Sequence, residues 1–176
     1  PRAEALLREV FPRDADGAEP VAYLWARTVL SQAPENDGVP VEIPMLRSLW
    51  LARQKARKRA LRWQRDEHGT VRTEVAEVTY ADGTPRMVRK PLLEIFEPKS
   101  PSEVEGGTSR RNAAICPVTG HVTAPHEVEQ QLKKRAGGAD DARLYCVVVD
   151  PPVGGRQFRP ATARDEEVVA AARSLL

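Results

Sequence analysis

Between Glu42 and Asp66 the chain has no acidic residue and eight basic ones: Arg47, Arg53, Lys55, Arg57, Lys58, Arg59, Arg62 and Arg65. Guanidinium and ammonium groups at this density suit phosphate, because each contact releases a counterion and so supplies affinity without reading base sequence. Trp50 and Trp63 lie within the same run and offer rings to brace such a surface. The whole chain carries a net charge of only +2, so the residues outside this +8 segment are net −6. A localised basic stripe points to one surface meeting a polyanion. Cys116 with His121 and His126 forms the second group capable of chemistry. One thiolate and two imidazoles leave a tetrahedral Zn²⁺ short of its fourth ligand, so no metal is expected, and Cys116 reads as a small buried residue. His68, His121 and His126 fall in or beside loops with no nucleophile signature around them, and Cys146 sits in an apolar run that reads as core. The glycine pairs 106–107, 137–138 and 154–155 lack a following Lys-Ser or Lys-Thr, so neither nucleotide hydrolysis nor any cofactor is expected.

The elements that must carry these residues are short. Val21 to Leu30 alternates as a strand with one largely apolar face, Ser31 to Pro40 is a loop, and Val41 to Met45 returns as a second strand. Within the basic run, Leu46, Leu49, Trp50, Arg53 and Arg57 have helical spacing, whereas Ser48 to Ala52 and Ala60 to Trp63 suit short strands. Ala56, where a hairpin prefers glycine, tilts the expectation to helix. Thr70 to Tyr80 alternates clearly as a strand ending at Asp82-Gly83. Pro98 to Ser109 has few apolar anchors and reads as a mobile linker. Helices are expected over Arg2 to Phe11, after Pro125 until Gly137-Gly138, and over Arg164 to Leu176, with Arg143 to Val149 a buried strand. At 176 residues, with 41% apolar and 5% aromatic content and fifteen prolines, one domain with a small core and many loops is expected. No stretch has the roughly 20 apolar residues of a membrane span, and Pro1 to Val10 lacks the centre of a signal peptide. A cytoplasmic protein is expected, and the start at Pro1 suggests a fragment.

Four strings carry a family resemblance: Val21-Ala-Tyr-Leu-Trp-Ala-Arg-Thr-Val29, Glu42-Ile-Pro-Met-Leu-Arg-Ser-Leu-Trp-Leu-Ala52, Ala114-Ile-Cys-Pro-Val-Thr-Gly-His121 and Gly137-Gly-Ala-Asp-Asp-Ala-Arg-Leu144. Together they resemble the zinc-ribbon region of prokaryotic adenine-specific DNA methylases. The resemblance implies two cysteine knuckles holding one Zn²⁺, but here Ser31 and a residue near Asp37 stand in the first knuckle, and Cys116 is followed by Thr119 in the second. The string Val147-Val-Val-Asp-Pro-Pro-Val153 resembles the Asp/Asn-Pro-Pro-aromatic motif of amino-methyltransferases, except that Val153 offers no π face to a flipped base. It reads instead as a turn between two strands, and no catalytic residue is expected.

The resulting expectation is an α+β fold with a small antiparallel, zinc-ribbon-like β centre and peripheral helices. It assigns 1–20 to a helix and linker, 21–160 to the ribbon-like module with its 98–109 loop, and 161–176 to a terminal helix. The expected function is a non-catalytic accessory module whose Arg53, Lys55, Arg57, Lys58, Arg59 and Arg62, with Trp50 and Trp63, contact DNA phosphates. The competing expectation is an insert that docks on a methylase core through residues such as Leu49, Trp50 and Leu51.

Overall fold

A computed structural model describes residues 11–34, 38–54 and 57–174. The expected N-terminal helix therefore falls almost wholly outside the described residues, as do the position near Asp37 and Lys55. In chain order the strands are β1 Glu19–Ala26, β2 Thr28–Leu30, β3 Glu42–Pro44, β4 Trp50–Gln54, β5 Arg57–Trp63, β6 Thr73–Thr79, β7 Pro85–Pro91, β8 Leu93–Phe96, β9 Ser109–Arg110, β10 Ala113–Ile115, β11 Val122–Thr123, β12 Arg143–Asp150 and β13 Gln157–Arg159. The helices are α1 Pro125–Lys134 and α2 Ala163–Ser174. Small, mostly antiparallel sheets with two helices make an α+β fold. No helix among the described residues is long and apolar enough to cross a membrane. Contacts divide the chain into two units, Pro1–Trp25 with Leu144–Leu176, and Ala26–Arg143, whereas the sequence groups 21–160 together.

In the first unit β12 is central between β1 and β13. Its apolar run buries Leu144, Val147 and Val149 with Ala18, and Tyr23 and Ala161 pack against them. Cys146 is fully buried in the same strand, and burial pushes its thiol up to about 12, so it stays protonated and inert at neutral pH. Val149 pairs with Gln157, so Asp150-Pro-Pro-Val153 is the turn of a hairpin, as its composition suggests, and Val153 is 84% exposed. Arg159 on β13 donates to both Asp14 and Asp165, with Nε to Asp14 Oδ2 at 2.6 Å and Nη2 to Asp165 Oδ1 at 2.8 Å. Asp165 also accepts from the backbone N–H and the hydroxyl of Thr162, which fastens the start of α2.

The second unit has an apolar centre formed by Val29, Val41, Ile43, Ala114, Cys116 and Val128. β2 pairs antiparallel with β3, and β10 lies between β9 and β11, so the centre gathers two small β layers under α1. Pro125 opens α1, Glu127 accepts from the Ala124 N–H at 3.0 Å, and Gln131 ties the helix to β2 through both a donated and an accepted bond with Leu30. The helix stops where Gly137 and Gly138 both take positive φ and Gly137 N–H returns to the Leu132 carbonyl. Gly107 has a different reason: a Cβ there would overlap the backbone of Leu46 and Arg47. Beside it, Thr108 is 3% exposed and donates to the Pro44 carbonyl while accepting from Leu46 N–H. The 98–109 segment, expected as a linker, thus carries a 3-10 turn at Pro101–Glu103 and is fastened at Thr108.

Helical spacing in the basic run is overruled. Residues 50–54 and 57–63 are strands, with Gln54 paired to Arg57. Leu49, Leu61 and Trp63 become buried in this arrangement, and that burial outweighs the helix propensity of the intervening Ala, Arg and Lys residues. A further hairpin, β6–β7, runs in register from Thr73↔Pro91 to Thr79↔Pro85 around Asp82-Gly83, and β7 and β8 are strands not foreseen in the sequence.

Arg135, 8% exposed, joins several of these pieces. It donates to the Thr28 carbonyl, lies 4.8 Å from the ring centroid of Tyr80, and sits 3.6 Å from the buried Asp141 carboxylate. Tyr80 in turn donates to Glu42, itself only 2% exposed. Burial, and then the charge of Glu42, raise the Tyr80 hydroxyl well above its ordinary range, so it remains a donor.

Arg135→Leu is expected to destabilise the chain by roughly 3–5 kcal/mol, because it strands the Asp141 charge in a buried site. Denaturant unfolding checks this, and a loss under about 1 kcal/mol would count against it. Burial pushes the Asp165 carboxyl up, but hydrogen bonds from Arg159 and Thr162, with the Arg159 charge, outweigh it and hold the carboxyl below the usual range. A lowered carboxyl stabilises in its ionised form. That stabilisation is complete above about pH 4 and is lost as pH falls through the lower folded value. Thermal unfolding against pH should therefore show a loss below about pH 4 that is shallower in Asp165→Asn.

Candidate nucleic-acid interface

The basic run is folded into the sheet β4–β5–β8, with β5 central. Alternate residues of a strand point to opposite faces, so Arg57, Arg59, Leu61 and Trp63 belong to one face and Lys58, Ala60 and Arg62 to the other. Leu61 and Trp63 are 1% and 4% exposed, which makes theirs the core-facing side. The register shifts in β4 between Trp50, opposite Ala60, and Ala52, opposite Arg59. The extra residue, Leu51, brings Trp50 and Arg53 onto the same face as Lys58, Ala60 and Arg62. Across β5, Phe96 pairs with Ala60 and Glu94 with Arg62, so both join that face.

The other face therefore has a row Trp50–Ala60–Phe96 in which Ala60 is 0% exposed and the rings are half-buried, with Arg53 and Lys58 on one side and Arg62 with Glu94 on the other. The Arg53 guanidinium carbon lies 5.1 Å from the Trp50 ring centroid, and that of Arg62 lies 4.9 Å from the Phe96 centroid. Both are cation–π distances. Arg62 Nε is also 2.5 Å from Glu94 Oε1. Arg59, on the opposite face, is 2.6 Å from Glu97 and also donates to the Lys58 carbonyl at 2.7 Å. Arg65 pairs with Glu105 at 3.0 Å. The stripe that lacks acids in sequence thus acquires three from residues 94–105.

Of the residues expected to contact DNA, Trp50, Arg53, Lys58 and Arg62 share one face. Arg57 is exposed near the hairpin end and points with Arg59 to the other face, while Lys55 lies outside the described residues. Trp63 is buried, so its ring packs in the interior and does not brace a surface. Among the described residues, no acid pairs with Arg53 or Lys58; the Lys58 ammonium lies 3.5 Å from the Lys99 carbonyl. Phe96 is the residue that sequence reasoning missed. Its signal was the alternation Leu93-Glu-Ile-Phe96 after Pro91.

The other candidate chemistry is differently placed. Cys116 is 1% exposed within the apolar centre, at the start of a turn in which Gly120 N–H donates to the Cys116 carbonyl at 2.9 Å. Thr119 Oγ1 accepts from His121 N–H at 3.2 Å, so the hydroxyl serves the turn itself. Ser31, buried, likewise accepts from Ala33 N–H at 3.2 Å. His126 and His68 are exposed, the latter beside Glu67 at 3.5 Å. Among the described residues, no three His, Cys, Asp or Glu side chains are grouped to hold a metal ion.

Glu94→Gln together with Glu97→Gln should change stability by less than about 1 kcal/mol, since both ion pairs are solvent-exposed. Denaturant unfolding of the double variant measures it, and a loss beyond about 2 kcal/mol would mean that these pairs hold the sheet together. No protein-family model, curated protein or solved structure matches the chain.

Proposed function

We propose that the chain is a non-catalytic DNA-contacting accessory module of, or derived from, a cytoplasmic prokaryotic adenine-specific DNA methylase. The observation that supports this reading is the gathering of Arg53, Lys58 and Arg62 on the solvent face around Trp50, on a sheet whose opposite face supplies core. Bases on a rigid strand face meet phosphates at fixed spacing, and affinity comes from counterion release with no need for base-edge contacts. The turns that begin at Ser31 and Cys116, each with a side-chain hydroxyl accepting from the backbone, are compatible with a zinc-ribbon-like ancestry.

A second reading, an insert that docks on a methylase core, is favoured by another observation. Val75 and Met87 are 56% and 48% exposed on one face of the β6–β7 hairpin, in the adjacent pairs Val75↔Arg89 and Glu77↔Met87. An apolar pair there suits protein contact better than phosphate contact.

Replacing Arg53, Lys58 and Arg62 together by Gln should weaken binding to duplex DNA of any sequence about equally. It should also lower the magnitude of the log-affinity against log-salt slope by about 3, at roughly 0.9 per phosphate contact. Arg59→Gln, on the other face and tied to Glu97, should change the slope by well under one contact. A well-folded triple variant with unaltered affinity and slope would leave the docking reading in its place.

A further inference from the structure

Resting on the DNA-contact reading, we infer that the Trp50–Ala60–Phe96 row is a stacking platform for unpaired bases, so that the preferred ligand of this face is single-stranded DNA. Phosphate affinity alone requires only the bases of the run. The face contains more than that, because two rings flank Ala60 in a single cross-strand row, and positive side chains border the row on both sides. Ala60 between them is fully covered, and the two rings beside it are half-buried.

The spacing selects the ligand. β4 and β8 are the two neighbours of β5, and strands lie about 4.8 Å apart, so the backbones that carry Trp50 and Phe96 stand roughly 10 Å apart across the sheet. Bases in a duplex are stacked about 3.4 Å apart and hidden from lateral contact. To place one base on each ring, a strand must be unpaired and its bases splayed. Ring stacking of this kind tolerates any base, since every base has a π face.

Charge fits the same occupant. Arg53, Lys58 and Arg62 against Glu94 leave the face net positive. The two guanidinium carbons already lie 5.1 and 4.9 Å from the ring centroids, at cation–π distance. An entering base takes the ring face, and the displaced guanidinium meets the phosphate that arrives with it.

The test compares equilibrium binding of the full chain to a fluorescein-labelled 12-nucleotide oligo(dT) strand and to the corresponding 12-base-pair dT·dA duplex at one low salt concentration. The single strand should bind more tightly. Trp50→Leu and Phe96→Leu should each weaken single-strand binding roughly 5- to 150-fold and duplex binding by a much smaller factor, so that the preference for the single strand falls. Trp50→Phe and Phe96→Tyr, which keep a ring and serve where a leucine variant misfolds, should retain most of the single-strand affinity. Equal affinity for strand and duplex, with folded aromatic variants neutral, overturns the platform. If the Arg53/Lys58/Arg62 variant still weakens duplex binding in that case, the phosphate-contact reading survives. Absence of binding to either DNA form overturns both.

Discussion

The buried guanidinium of Arg135 is the interaction on which the Ala26–Arg143 unit depends. It follows the end of α1 and reaches the β2 backbone at Thr28, the ring of Tyr80 at the end of β6, and the carboxylate of Asp141. Among the described residues, the apolar centre beside β2 and α1 has six buried residues, none larger than Ile43. A charge in such a place is costly unless it is satisfied from several sides, and Arg135 is met by a carbonyl, a hydroxyl, a ring and a carboxylate at once. In a chain composed of short hairpins, a five-donor planar group can bridge more elements than any aliphatic side chain.

The position of the candidate interface follows from this arrangement. β6 ends at Thr79, next to Tyr80, so the β6–β7 hairpin is held at one end through Arg135. At the other end, Leu92 N–H donates to the Arg72 carbonyl and Gln64 N–H to the Leu92 carbonyl, which joins the hairpin to the β4–β5–β8 sheet. Leu49, Leu61 and Trp63 supply the buried side of that sheet. The basic residues of the other face reach solvent beside the half-buried Trp50 and Phe96, and the shift at Leu51 determines that Trp50 and Arg53 lie on it.

Part of this was legible in the sequence. The hairpin β2–β3, the strand around Thr73–Thr79, the helix from Pro125 to the glycine pair, and the Asp150-Pro-Pro turn all follow local rules of alternation, capping and turn chemistry. The basic run was visible as a composition but not as a shape. Leu46, Leu49, Trp50, Arg53 and Arg57 satisfy helical spacing, and only pairing with β8, some 30 residues later, decides in favour of strands. For the same reason Glu94, Glu97 and Glu105 could not be assigned to Arg62, Arg59 and Arg65 from the sequence. Trp50 and Trp63 look equivalent in composition, yet their faces differ because of the one-residue shift at Leu51.

The central claim is that this solvent face, and not another surface of the chain, meets DNA. An NMR titration of the ¹⁵N-labelled chain with DNA tests it most directly, because each Trp carries a separate indole N–H reporter. The account predicts that the Trp50 indole and the backbone amides of Arg53, Lys58, Arg62 and Phe96 shift on binding, while the buried Trp63 indole stays near its free position. Shifts confined to the Val75 and Met87 face of the β6–β7 hairpin, or spread over the chain with the Trp50 indole unmoved, would contradict it.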